Sequence, residues 1–120
     1  MFTLGSGLQF FLCPVYTDMR NSFDGLCGIV TSKLGRNPLS GEVFIFINKR
    51  RNCMKLLHWE EGGFVLYYKR LETGTFELPQ IRPEMKTFEI SWPYLVMMNQ
   101  GISLRNIQQR KRYKMQKAVL

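Results

Sequence analysis

The sequence predicts a single small α+β domain: a meander of four to five antiparallel strands packed by one main helix. A short C-terminal helix and a basic helical tail follow. Three observations carry this expectation. Three apolar, strand-like runs, 43–48, 53–59 and 63–71, are separated only by connections of hairpin length. One segment, 22–34, carries apolar residues at helical spacing between a capping residue and a left-handed stop. The length, 120 residues with 45% apolar side chains, allows one core and leaves no room for a second domain of ordinary size. The expected division is a domain over 1–101 and a tail over 102–120.

Taken in order, QFFLCPVY (9–16) reads as a first strand, with Pro14 favouring an edge or a strand end. Asn21 or Ser22 can cap the helix that follows. Its stripe is Phe23, Leu26, Cys27, Val30 and Leu34, and Gly35 and Pro38 end it. Gly25 and Gly28 each weaken this helix by roughly 1 kcal/mol relative to alanine, and their spacing would let it approach a sheet closely. The meander then runs VFIFIN, CMKLLHW and GFVLYYKRL, with TFELP (75–79) as a further short strand. These runs are apolar on both faces, so either a second chain covers one face or the sheet curls on itself. Ser91 can cap a short helix through Tyr94, Leu95 and Met98 that Gly101 ends, and Ser103 can start the basic segment.

The charge is unevenly placed. The chain holds 17 Lys/Arg against 9 Asp/Glu, a net +8. Residues 101–120 supply +6 of it without a single acid, and residues 1–100 hold 11 basic and 9 acidic side chains. A basic arm on a nearly neutral body points to a polyanion. The N-terminal segment lacks a basic start and a small-residue cleavage site, and no apolar run approaches the ~20 residues of a membrane span, so neither a secretory signal nor a membrane partner is expected. Three cysteines, Cys13, Cys27 and Cys53, read as free thiols of a reducing compartment.

Catalysis finds little support. His58, the only histidine, reads as a satisfied, partly buried side chain, and no ligand spacing links it to Cys53 or Cys13. Asp18 and Asp24 could share a divalent ion in a nuclease. The simpler assignment pairs Asp18 with Arg20 and puts Asp24 in the first helical turn, where the helix dipole favours an acid. No catalytic residue, metal or cofactor is expected. Binding is better supported. Lys49, Arg50 and Arg51 stand at a hairpin tip, Lys55, Lys69 and Arg70 can extend the patch, and Arg20 can add a further phosphate contact. In the tail, Arg110, Lys111 and Arg112 would do the same. Tyr67, Tyr68 and Trp59 are candidates for stacking on bases, or for the core.

Two stretches, TDMRNSFDGL (17–26) and GEVFIFINKRRNCMKLLHWEEGGFVLYYKRLETGTFELP (41–79), together with LGRNP (34–38), closely resemble a known family. It is the small accessory protein, TnpB, encoded by the second reading frame of bacterial insertion sequences of the insertion-sequence-66 type. The resemblance covers roughly residues 9–80. The family's aspartate–methionine–arginine step falls on Asp18, Met19 and Arg20, and its helix start on Ser22, Phe23, Asp24 and Gly25. Its basic hairpin falls on Lys49, Arg50 and Arg51, its lysine and tryptophan on Lys55 and Trp59, and its strand end on Tyr68, Lys69, Arg70 and Leu71. The resemblance implies a cytoplasmic, non-enzymatic protein that assists transposition of a mobile element. Its partners would be DNA, at the element ends or non-specifically, the larger transposase, and a second copy of itself. A protein-interaction adaptor that never touches DNA is the alternative. An unrelated family of RNA-guided nucleases shares the name, but its members are much longer and carry zinc-binding cysteine pairs that this chain lacks.

Overall fold

In the computed structural model, which describes residues 5, 7–80, 82 and 84–100, the first strand does not start a meander. Strand β1 (Phe10–Leu12) pairs in parallel with β2 (Val43–Ile47), Phe10 opposite Val43 and Leu12 opposite Ile45. Parallel neighbours need a long crossover, and the segment between them supplies it as helix α1 (Phe23–Ile29). The expected meander then follows. β3 (Cys53–Glu60) pairs antiparallel with β2, and β4 (Gly63–Arg70) antiparallel with β3. The sheet closes on its other side with β5 (Phe88–Ile90), antiparallel to β1, for a strand order β4-β3-β2-β1-β5, and helix α2 (Trp92–Asn99) is the last element among the described residues.

The α+β class is as expected, and two details differ. One strand pair is parallel, so the sheet is mixed. The fifth strand is 88–90 and not 75–79. The 75–79 segment instead hands its pairing to the hairpin loop: the Phe76 N–H donates to the Arg51 carbonyl, and the Phe76 ring is fully buried. A residue driven into the core there, with Pro79 just beyond, leaves no ladder for a strand to join.

Alternation along the strands splits the core in two. Phe10, Leu12, Val43, Ile45, Ile47, Met54 and Leu56 pack with Phe76, Leu95 and Met98, so α2 and the 71–80 segment cover that face. Phe11, Phe44, Phe46 and Leu57 pack on the other face with Leu26, Val30 and Leu34 from α1 and the π-helical turn that extends it over Val30–Leu34. Both apolar faces are therefore covered by the chain itself, and a second chain is not needed for either.

The helix ends largely as its sequence predicts, with Gly35 left-handed at φ 65°. Its stripe is narrower than expected, because Leu26, Val30 and Leu34 are buried while Phe23 is 41% exposed. Gly25 and Gly28 do not bring it close to the sheet. A Cβ at Gly28 would meet only open space, and one at Gly25 would collide with the Asn21 side chain at the helix start. In α2 the Ser91 hydroxyl accepts from the Tyr94 N–H at 3.3 Å, Pro93 sits in the first turn, and Trp92 stacks on Phe10 with ring centroids 5.6 Å apart.

Candidate nucleic-acid interface

The topology gathers three connections, β1–α1, β2–β3 and β4–β5, at one end of the sheet. β1, β2 and β4 end there, and β3 begins there. The β2–β3 loop is the basic hairpin tip, and it is clamped from inside. Asn48 Oδ1 accepts from the N–H groups of Asn52 and Cys53 at 3.0 and 2.9 Å, and Asn48 Nδ2 donates to Asn52 Oδ1 at 2.7 Å. The Arg51 N–H donates to the Asn48 carbonyl, and the Leu71 N–H to that of Asn52. Arg51 is held left-handed at φ 58°, an uncommon state for a residue with a long side chain. Lys49, Arg50 and Arg51 project from this rigid turn, all exposed, and among the described residues none pairs with a carboxylate.

An open cleft of about 480 Å³ lies beside the tip. Lys49, Arg50 and Asn48 line one wall, and Tyr16, Thr17, Asp18 and Met19 line the other. Arg20 stands at this rim, but its guanidinium is engaged: Nη2 donates to Asp18 Oδ2 at 2.7 Å and Nε to both carboxylate oxygens. The bond from the Arg20 side chain, and then that from its backbone N–H, holds the Asp18 carboxyl well below its ordinary value, at about 2. The folded state thus favours the carboxylate. The contribution is present above the ordinary aspartate range and is lost as the pH falls from about 4 towards 2. Arg20→Gln keeps the backbone N–H bond and is expected to move Asp18 part of the way back up towards the usual aspartate range in a carboxyl NMR titration. An unmoved titration would show that the pair does not set it.

The remaining predicted contacts are dispersed. Lys55 is 5% exposed, and its ammonium donates to the carbonyls of Met19 and Asn21, both at 2.7 Å. It fastens the loop leading into α1. Lys69 points to the opposite face, where its ammonium donates to the Asn99 carbonyl at the end of α2. Arg70 returns to the hairpin end, exposed and paired with Glu72 at 3.1 Å. Arg110, Lys111 and Arg112 lie outside the described residues, as does the whole basic tail.

Of the aromatic candidates, Tyr67 packs against the core under α2, and Trp59 sits edge-on to Phe64 at 4.9 Å. Tyr68 is 53% exposed, with the Lys55 ammonium 4.7 Å from its ring centre. Tyr16, which periodicity assigns to the first strand, is 55% exposed at the cleft. The sequence marks it only through Pro14, which ends that strand two residues earlier.

Several other notable residues have structural roles. Arg36 donates to Glu42 at 2.6 and 2.9 Å and lies 3.9 Å above the Phe11 ring. His58 is buried with Nε2 3.1 Å from the Gly41 carbonyl, which can only accept. Asp24 occupies the first turn of α1. Cys13, Cys27 and Cys53 are free thiols, and burial pushes the Cys13 thiol up. Among the described residues no group of three His, Cys, Asp or Glu side chains could hold a metal ion.

Comparison with known proteins adds the wider context. A family model described as "IS66 Orf2 like protein" matches residues 8–109, ending immediately before Arg110, Lys111 and Arg112. Two proteins of Sinorhizobium fredii (strain NBRC 101917 / NGR234) are similar. One, "Uncharacterized protein y4hO", is 32% identical over 110 residues, 91% of this chain and 93% of its own length. The other, "Uncharacterized protein y4jC", is 32% identical over 76 residues, 63% of this chain and just under two thirds (65%) of its own length. No solved structure matches.

Proposed function

We propose, from the premise that this chain belongs to the IS66 Orf2-like family of non-catalytic transposition accessory proteins, that its part in the process is to bind DNA through the clamped hairpin. What supports the reading is one observation: three cations, Lys49, Arg50 and Arg51, project from a rigid turn with no carboxylate partner among the described residues, beside an open cleft. Cations fixed by the fold can neutralise phosphates without the entropic cost of ordering the loop, and their affinity falls steeply with salt. Arg70 and Arg20 extend this surface once a phosphate competes for them with Glu72 and Asp18. Lys55 and Lys69 are left out, because their ammonium groups are already satisfied by backbone carbonyls. The basic residues of 102–120 add non-specific attraction. The site of action is the cytoplasm, and no helix among the described residues is long and apolar enough to cross a membrane.

The adaptor reading loses the observation that favoured it, because the chain covers both faces of its own sheet. The larger transposase and a second copy stay as partners that can join the DNA-bound protein.

Binding to duplex DNA by the full chain and by a chain ending at residue 101 tests the proposal. The shortened chain is expected to bind about ten- to a hundredfold more weakly and to keep a clear salt dependence. If it shows no salt-dependent binding at all, the tail alone is the DNA contact and the hairpin reading falls.

A further inference from the structure

We propose that the hairpin end of the sheet takes an unpaired DNA strand in preference to duplex, with bases stacked on Tyr16 and Tyr68; this rests on the DNA-binding reading above. The two rings are the most exposed large aromatic side chains among the described residues, at 55% and 53%. Both lie beside cations, each site also holding one carboxylate, Asp18 or Glu72. Tyr16 shares the cleft with Lys49 and Arg50. Tyr68 shares a depression with Arg70 and the Glu72 that pairs with it, and Lys55 occupies one side of its ring. One buried side chain links the two rings: the Lys55 ammonium lies 4.7 Å from the Tyr68 ring centre and donates to the Met19 carbonyl, and Met19 lines the cleft of Tyr16.

The chemistry discriminates between the two forms of DNA. A duplex hides the faces of its bases in its own stack and offers only phosphates, sugars and base edges, so an exposed ring finds no base face to stack on. An unpaired strand offers both, and every base presents a π-face whatever its identity. A surface that interleaves cations with exposed rings therefore matches a single strand, with little sequence preference. Tyr67 and Trp59 are packed against other side chains and take no part.

The test uses the full chain, an end-labelled single strand of about 20 nucleotides, and the same strand annealed to its complement, read by fluorescence anisotropy at about 100 mM salt. The single strand is expected to bind roughly tenfold or more tightly than the duplex. The double variant Tyr16→Ala, Tyr68→Ala should lose about tenfold on the single strand and less than twofold on the duplex. The variant Tyr16→Phe, Tyr68→Phe should keep the wild-type preference, since the ring and not the hydroxyl stacks. Equal or tighter duplex binding overturns the inference, and so does an equal loss on both probes. If removing the hairpin cations abolishes binding to both while the alanine variant changes neither, the inference falls and DNA binding stands. If the wild-type chain binds neither probe, both fall.

Discussion

Replacing Lys49, Arg50 and Arg51 together with alanine is expected to remove most of the domain's DNA affinity and to flatten its response to salt. Each neutralised phosphate contributes about −0.9 to the slope of log affinity against log salt concentration, so three contacts contribute about −2.7. Between 50 and 200 mM salt that is roughly a 40-fold change, which the variant should no longer show. Melting temperature should barely move, because the clamp is built from Asn48, Asn52 and backbone groups and not from the three side chains. Arg51 adds a sharper form of the test. Its left-handed backbone costs about 1–2 kcal/mol that glycine would not incur. Arg51→Gly should therefore raise stability while lowering DNA affinity. A variant in which both quantities fell together would place Arg51 in the fold and not at the interface.

The largest effect on stability is expected at Lys55. Its ammonium is buried and donates to two carbonyls in the loop that enters α1. Lys55→Met keeps the length and the apolar stem but leaves both carbonyls without a donor. Hydrogen bonds to a charged group contribute about 1.5–3 kcal/mol each, and two that share one ammonium are not additive, so a loss of about 3 kcal/mol is expected. For a domain of this size that lowers the melting temperature by roughly 12–24 °C. Affinity for DNA, measured well below the new transition, should change less than threefold. An unchanged melting temperature with strongly weakened binding would instead restore Lys55 to the interface.

Local signals made much of this legible. Gly35 and Pro38 end the first helix, Ser91 and Pro93 start the last, and short loops join β2, β3 and β4, all of which act over a few residues. What could not be read depends on partners distant in sequence. β5 is three residues long, too short for a period to show, and it exists because β1 offers it an edge. The strand pattern of 75–79 is overridden by the burial of Phe76. Lys55 looks like its basic neighbours until α1 brings two carbonyls to it. The basic hairpin itself stood out in the sequence, but the cleft and Tyr16 beside it arise only when the β1–α1 and β2–β3 loops meet at one end of the sheet.

The position of β1 between β2 and β5 also sets an order of events during synthesis. β1 needs an element made well after it, because Phe10 and Leu12 lie between Val43–Ile45 on one side and Phe88–Ile90 on the other. At roughly 5–20 residues per second, about four to sixteen seconds separate the making of Leu12 from that of Ile90. For that interval a strand of three large apolar residues is an incomplete edge, open to other nascent chains or to a chaperone. A fragment trimmed to residues 9–80 would leave that edge of β1 open permanently, although it holds the stretch that carries the family motif most densely.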